Sequence, residues 1–376
     1  MKVLHINSYY SSSFFYKNLF EKQIQSSIDV SVYVPISKNV TLPTVDLGEY
    51  TNISGNHNKY DRMFFHIKHQ KIFKDIVQQY EMNSIDLVHA HSLFSNGYIA
   101  LLLKKKYKIP YIVAVRNTDV NVFFKYMIHL RKLGLEILEE AEKIIFLSDS
   151  YNNFILNRYI PNRLRKKIES KTTVIPNGIA DFWLQNVDNP KKYPEERELK
   201  ILQVGVIDKN KNVLTTIKAV KLLISRGYKA ELTIVGKVVD EGIYNQIRKL
   251  PYVKYKEPIP QAELLSIFRQ HEMFIMPSIN ETFGLVYAEA MSQGLPVIYS
   301  KGQGFDGQFE EGVVGYPVDC LNEEEIANRV EDIISNYTEI SLNCINKIER
   351  FSWNSIVDEY NKLYLKIIAD NYEARL

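Results

Sequence analysis

Two glutamates, Glu281 and Glu289, bracket the stretch of this 376-residue chain that is richest in chemistry: Met276-Pro-Ser-Ile-Asn-Glu-Thr-Phe-Gly-Leu-Val-Tyr-Ala-Glu-Ala-Met-Ser-Gln-Gly-Leu-Pro-Val-Ile. An apolar run ends at Met276, a loop carries Glu281, and a helix is expected to open at about Phe283–Gly284. Gly294 suits the helix end and Pro296 bars its continuation. The first N–H groups of a helix have no intrahelical acceptor and sit at the positive end of its dipole, which suits a phosphate. Gly284 allows a ligand close to the backbone. Glu289 falls almost two turns into that helix. Carboxylates on both sides of an anion site make sense when each binds hydroxyls beside the phosphate. A nucleotide sugar has that layout, with sugar hydroxyls on one side of the diphosphate and ribose hydroxyls on the other.

Further segments point to polar ligands. Leu202-Gln-Val-Gly-Val-Ile-Asp-Lys-Asn-Lys-Asn-Val reads as a strand, a glycine turn at Gly205 and a basic loop with Lys209 and Lys211 leading into a helix. Val174-Ile-Pro-Asn-Gly-Ile contains a turn signal at Asn177-Gly178. Near the N-terminus, Asn7-Ser-Tyr-Tyr-Ser-Ser-Ser-Phe-Phe is a hydroxyl-rich loop after the first apolar run. Asp86-Leu-Val-His-Ala-His-Ser places His89 and His91 two apart at a strand end, as cleft hydrogen-bonders or as packed core histidines. An H-x-H pair can ligate metal, but no carboxylate or cysteine at ligand spacing joins it. Arg116 and Asp119 follow another strand, and either recognise an anion or pair to hold their loop. Gly302-Gln-Gly-Phe-Asp-Gly307 matches a dinucleotide fingerprint, yet Gly312, Gly315 and Pro317 interrupt any helix after it.

The elements that must position these residues alternate between short β-rich runs and helical patterns, the mark of βαβ units and a mainly parallel sheet. Strands are expected near 3–6, 30–35, 87–90, 111–115, 143–147 and 173–175, then at 200–204, 230–235, 253–255, 273–276 and 296–299. The stretch Asp188-Asn-Pro-Lys-Lys-Tyr-Pro-Glu-Glu-Arg is polar and has two prolines, so it reads as an inter-domain linker. The pattern is α/β, with two doubly wound domains: 1–178, with a C-terminal helix at about 353–376 packing back on it, a linker at 179–199, and 200–350. Such sheets bind ligands at the C-terminal ends of their strands.

Composition closes off other classes. Hydrophobic residues at 45% and charged residues at 24% are globular values. A formal net charge of +3 gives no reason to expect nucleic-acid binding. Cys320 and Cys344 make no disulfide framework and lack zinc-site neighbours, which points to a reduced, cytoplasmic chain. No signal-peptide core and no run of about 18 apolar residues is present.

The segment Pro277–Val297 closely resembles the E-x7-E region of the retaining glycosyltransferases of family 4. Resemblance extends as a pattern over nearly the whole chain. It implies the GT-B fold, two Rossmann-like domains facing across a cleft, and a nucleotide-sugar donor. It further implies that Glu281 contacts the donor sugar, that backbone N–H groups of Phe283, Gly284, Leu285 and Val286 hold sugar and diphosphate, and that Glu289 binds the ribose. Lys211, six residues after Gly205, matches the family's diphosphate lysine. The arginine that usually follows the glycine is replaced by Val206, a charge that Lys209 or Arg116 could supply. The N-terminal Gly-Gly loop is replaced by hydroxyls, and Arg116 stands where the family often has histidine. His91 and Arg116 are expected to reach the donor on domain closure.

What the resemblance implies is transfer of a sugar, without metal or other cofactor, to a saccharide or lipid-linked acceptor in bacterial surface polysaccharide synthesis. Alternatives are a nucleotide-sugar epimerase or hydrolase on the same fold, or a non-catalytic binding module. The basic and aromatic clusters Lys104-Lys-Lys-Tyr-Lys108, Arg158 to Lys167 and Phe123-Phe-Lys-Tyr-Met give an expected peripheral contact with the inner face of the membrane.

Overall fold

The computed structural model describes residues 1–12, 15–39, 46–194 and 198–373. Ser13 and Phe14 of the hydroxyl-rich loop, 195–197 of the expected linker and 374–376 of the expected last helix lie outside them. The chain divides into two units: Met1–Leu147 with Asn152–Pro176 and Trp353–Leu376, and Ser148–Tyr151 with Asn177–Ser352.

The first unit is built on seven strands, β1 (Lys2–Ile6), β2 (Asp29–Ser37), β3 (Thr51–His57), β4 (Leu87–Ala90), β5 (Tyr111–Ala114), β6 (Lys143–Phe146) and β7 (Thr172–Val174). They are ordered β3-β2-β1-β4-β5-β6-β7 and every pairing is parallel. Because both faces of a parallel sheet are covered, β5 (Tyr-Ile-Val-Ala) reads as an unbroken apolar run rather than an alternating one. Helix Trp353–Glu373 packs against this unit, burying Trp353, Ile356, Val357, Tyr360, Tyr364 and Ile367. Those positions recur at helical spacing along one face and join Val3, Val32, Leu87, Ile112 and Phe20 in one core. Burial of each large apolar side chain contributes about 1.5–3 kcal/mol.

The second unit holds β8 (Glu198–Val204), β9 (Lys229–Val235), β10 (Val253–Lys256), β11 (Met273–Met276), β12 (Val297–Ser300) and β13 (Gly315–Val318). Their order is β10-β9-β8-β11-β12-β13, again all parallel.

Two strands escape the sequence pattern. β3 is Thr-Asn-Ile-Ser-Gly-Asn-His, polar and without alternation, and exists because it pairs along β2 at the sheet edge. β13 contains the Gly315 and Pro317 that read as interruptions. Pro317 is tolerated because the strand is at an edge. A Cβ on Gly315 would lie 1.8 Å from the Val297 carbonyl oxygen, so only glycine passes there.

Part of the expected linker is fixed to the second unit. Trp183 is fully buried in a short helix, Asp181–Gln185. The Lys191 ammonium donates to the carbonyls of Phe268, Arg269 and His271 at 3.2, 2.8 and 2.7 Å. Burial pulls that ammonium down to about 8. Among the described residues, no helix is long and apolar enough to cross a membrane.

Candidate functional site

In the second unit, the C-terminal ends of β8 and β11 lead into two loops that are fastened to each other. Asn210 donates from Nδ2 to the Asn280 carbonyl at 3.0 Å and accepts the Asn280 N–H at 3.0 Å, while its own carbonyl takes the Ile279 N–H at 2.8 Å. Buried Asn212, in the left-handed region at φ +54°, donates to the carbonyls of Pro277 (3.0 Å) and Cys320. Asparagine tolerates that conformation better than most residues. These two side chains set the position of Lys211 relative to Glu281, and only their place within the basic loop marks them in the sequence.

The Lys211 ammonium lies 2.6 Å from Glu281 Oε2, in an ion pair whose side chains are 20% and 13% exposed. Its stem runs past Gly205, where a Cβ would sit 3.5 Å from Lys211 Cε. Asp208 Oδ1 accepts the Lys211 N–H at 2.8 Å and closes the turn before it. Glu281 is held from its backbone: its N–H donates to Gln303 Oε1 at 2.9 Å, and its carbonyl accepts the Gly304 N–H at 2.9 Å. A Cβ on Gly304 would fall 1.8 Å from the Thr282 carbonyl oxygen. The glycine-rich segment 302–307 is thus a brace against the Glu281 loop, and its resemblance to a dinucleotide fingerprint is incidental.

The helix after Glu281 runs over Leu285–Ser292, so it opens later than Phe283–Gly284 and Glu289 stands about one turn in rather than two. The cause is Gly284, whose φ of +75° and ψ of +66° cannot continue a right-handed helix. A Cβ there would be 2.4 Å from the Tyr287 ring, and Tyr287 in turn donates from its hydroxyl to the Met276 carbonyl at 2.5 Å. Phe283 turns its ring into the core against Phe351, 5.7 Å between centroids, leaving its backbone to the loop. The N–H groups of Leu285 and Val286 lie in the first turn, where intrahelical acceptors are lacking. Burial pushes the Glu289 carboxyl up to about 7, partly offset by the Trp183 indole N–H. Lys209 is exposed and makes no ion pair among the described residues.

The first unit places its candidates differently. His89 and His91 are fully buried, so neither offers an atom to a ligand as expected. They share one side of the β4 end, and the final helix covers it: His89 Nδ1 is 2.7 Å from the Tyr364 hydroxyl. His5, opposite His89 in the β1–β4 register, brings Nδ1 within 3.0 Å of His91 Nε2. One ring nitrogen from each of the three lies within 4.8 Å of the others. The His89 and His91 rings stack at 4.0 Å and 19°, so their in-plane lone pairs run side by side instead of converging. Burial holds all three neutral, His5 down to about 3. Sequence spacing showed only the H-x-H pair, because His5 is 84 residues earlier on the neighbouring strand.

Arg116 is also buried, with its Cζ 6.0 Å from the Tyr16 ring centroid and its Nε 3.4 Å from the His91 carbonyl. Asp119 accepts the backbone N–H groups of Arg116, Leu93 and Phe94 at 2.8, 2.9 and 3.1 Å. That carboxyl, lifted by burial to about 6 despite these donors, fixes the loop. Asp119 is thus tied to the backbone of residue 116.

Comparison with known proteins identifies the family and the fold. Residues 13–181 match the model of Glycosyltransferase Family 4, and 186–351 match that of Glycosyl transferases group 1. An uncharacterized glycosyltransferase of Methanocaldococcus jannaschii is 25% identical over 341 residues, 86% of this chain and 88% of its own. The capsular polysaccharide biosynthesis glycosyltransferase CapM of Staphylococcus aureus is 26% identical over 293 residues, 72% and 73% of the two chains. Among solved structures, the lipopolysaccharide outer core galactosyltransferase WaaB in its apo form superposes with a TM-score of 0.77 at 16% identity, covering 97% of this chain and 99% of that one. Anabaena HepE in complex with UDP gives 0.68 at 15% identity, covering 97% and 100%. Both likenesses are of fold: two parallel-sheet, Rossmann-like domains of the GT-B type. With the two family models accounting for most of its length, the chain belongs to the family 4 glycosyltransferases, the glycosyl transferases of group 1.

Proposed function

We propose that this glycosyltransferase takes its sugar from a nucleoside-diphosphate donor held by the second unit and transfers it with retention at the anomeric carbon. The observation that carries the reading is the Lys211–Glu281 ion pair at 2.6 Å, set before the opening of the Leu285–Ser292 helix. In the free protein each partner satisfies the other. On donor binding, Lys211 exchanges Glu281 for a phosphate oxygen, and Glu281 is released to sugar hydroxyls. The Leu285 and Val286 N–H groups add positive potential to the same diphosphate. Glu289 accepts hydrogen bonds from the ribose.

The bond from C1 to the β-phosphate oxygen breaks and the nucleoside diphosphate leaves with the electron pair. An acceptor hydroxyl oxygen then bonds to C1 from the same face, and its proton passes to a phosphate oxygen. Stabilising the departing charge and positioning the sugar are the protein's contributions. Lysine and helix N–H groups supply that charge, so the reaction proceeds without metal.

The relatives named for capsular polysaccharide biosynthesis and for a cps region support an acceptor in surface polysaccharide, saccharide or lipid-linked. The unpaired thiols Cys320 and Cys344 are in keeping with work in the cytoplasm.

A thermal-shift screen of UDP-, GDP-, dTDP-, ADP- and CMP-sugars, with magnesium and with EDTA, tests the donor. At 100-fold saturation a ligand adds about 2.7 kcal/mol of stability. The reading requires a rise with one nucleotide that EDTA leaves intact. Proton couplings of the product then report the anomeric outcome, and inversion would end the retaining assignment.

A further inference from the structure

The C-terminal ends of β8 and β9 stay together beyond the sheet. Val204 lies opposite Val235, and past the glycines Ile207 lies opposite Val238, so the register is unbroken. Val206 and Lys237 therefore stand side by side, on one face of the ladder. The two chain segments are closely fastened. Gly205 donates its N–H to the Val235 carbonyl at 2.9 Å, and Ile207 donates to that of Lys237 at 2.8 Å. A Cβ on Gly236 would lie 1.9 Å from the Gly205 carbonyl oxygen, an approach that glycine alone permits. The Tyr255 hydroxyl donates to the Gly236 carbonyl at 3.1 Å. Lys237 thus has a fixed backbone beside Gly205, the residue that the Lys211 stem passes.

Its side chain, by contrast, is uncommitted. Lys237 is exposed and makes no ion pair among the described residues. The acids of the two loops are turned to backbone: Asp208 Oδ1 accepts the Lys211 N–H at 2.8 Å, and Asp240 Oδ1 accepts the Ile243 N–H at 3.1 Å. Lys254 of the neighbouring strand, for comparison, meets Glu231 at 2.6 Å. The candidate site meanwhile is short of positive charge. Lys211 faces Glu281 in a pair that sums to zero, and Val206, 38% exposed, puts an apolar side chain where β8 ends. A diphosphate carries negative charge on each phosphate, which one lysine and a helix opening compensate only in part.

We propose that Lys237 is the second cation of the donor site, its ammonium reaching across Val206 to a diphosphate oxygen beside the one that Lys211 takes. The inference deepens the donor reading and rests on it. The sequence offered Lys209 and Arg116 for this charge. Arg116 is buried in the first unit, and Lys209 follows the last paired residue of β8, in the turn that Asp208 closes. Lys237 belongs to the next strand, and the β8–β9 pairing alone brings it beside Gly205.

The test is isothermal titration of the full chain, in magnesium and in EDTA, with inorganic pyrophosphate and with UDP, GDP, dTDP and ADP. Lys237→Met should weaken pyrophosphate, and whichever nucleotide the parent chain binds, by about tenfold or more, the loss of one charge-assisted hydrogen bond. The corresponding nucleoside, which has no phosphate, should bind both chains alike. Lys237→Arg should restore most of the affinity, and urea unfolding should give one midpoint for all three chains. Lys249→Met, which removes an exposed lysine elsewhere on the second unit, should bind as the parent does. A Lys237→Met chain that binds pyrophosphate and nucleotide as tightly as the parent overturns the proposal and leaves the donor reading standing. So does a loss that appears with Lys209→Met in its place, or one that extends equally to the nucleoside. A parent chain that binds neither pyrophosphate nor any of the nucleotides removes the donor reading, and this inference with it.

Discussion

Replacing Glu289 with glutamine should make this protein more stable at alkaline pH, an unusual sign for the loss of a polar residue from a proposed binding site. Burial raises the carboxyl from 4.5 to about 7, so near neutrality the folded chain binds more protons at this site than the unfolded chain. Stability contributed by the protonated form is fully present below about 4.5 and is lost as pH rises through about 7. At about 1.4 kcal/mol per pH unit, ionising the group in place costs on the order of 3 kcal/mol. Glutamine keeps the shape and never ionises. Urea unfolding of both proteins at half-unit steps from pH 5 to 9 should give curves that nearly coincide at pH 5. They should separate by about 2–3 kcal/mol above pH 8, with glutamine higher. Nucleotide binding should move the opposite way, since glutamine is the poorer acceptor for two ribose hydroxyls. Parallel stability curves across this range would refute the burial argument, and unchanged nucleotide affinity would remove Glu289 from the donor site.

Other expectations follow from the same geometry. Lys211→Met keeps the stem beside Gly205 but removes the charge, and should lower transfer by about 10²–10³-fold in a donor-saturated assay. Glu281→Ala should reduce transfer much more than donor binding, while Glu289→Ala should chiefly weaken nucleotide binding; equal, small effects from both would sink the role assignments. Gly284→Ala places a side chain at φ +75° against the Tyr287 ring and should cost roughly 2 kcal/mol or more in urea unfolding. Asp119→Ala leaves three backbone donors without their acceptor and should destabilise the first unit by roughly 3 kcal/mol.

Much of this protein is written locally. The unbroken apolar runs at 111–114 and 273–276 read as strands covered on both faces, and they appear where the pattern puts them. The Glu281–Gly284–Glu289 spacing, with Gly294 and Pro296 ending the helix, marks the loop and helix of the candidate site because glycine and proline act on backbone angles within a residue or two. Lys211 is legible for the same reason, six residues beyond a glycine turn.

What it left undecided depends on contacts between distant segments. β3 has no pattern of its own and is a strand because β2 offers it an edge. His91 and Arg116 looked like site residues at strand ends, but His5 and helix Trp353–Glu373, hundreds of residues away in the latter case, close over His89 and His91. The Lys211–Glu281 pair joins residues 70 apart and is set by Asn210 and Asn212 bridging two loops. The Glu289 carboxyl is shifted by burial beside a tryptophan in a stretch that read as linker. Local sequence fixes which backbone angles are cheap, whereas burial and ion pairing are set by which segments the fold brings into contact.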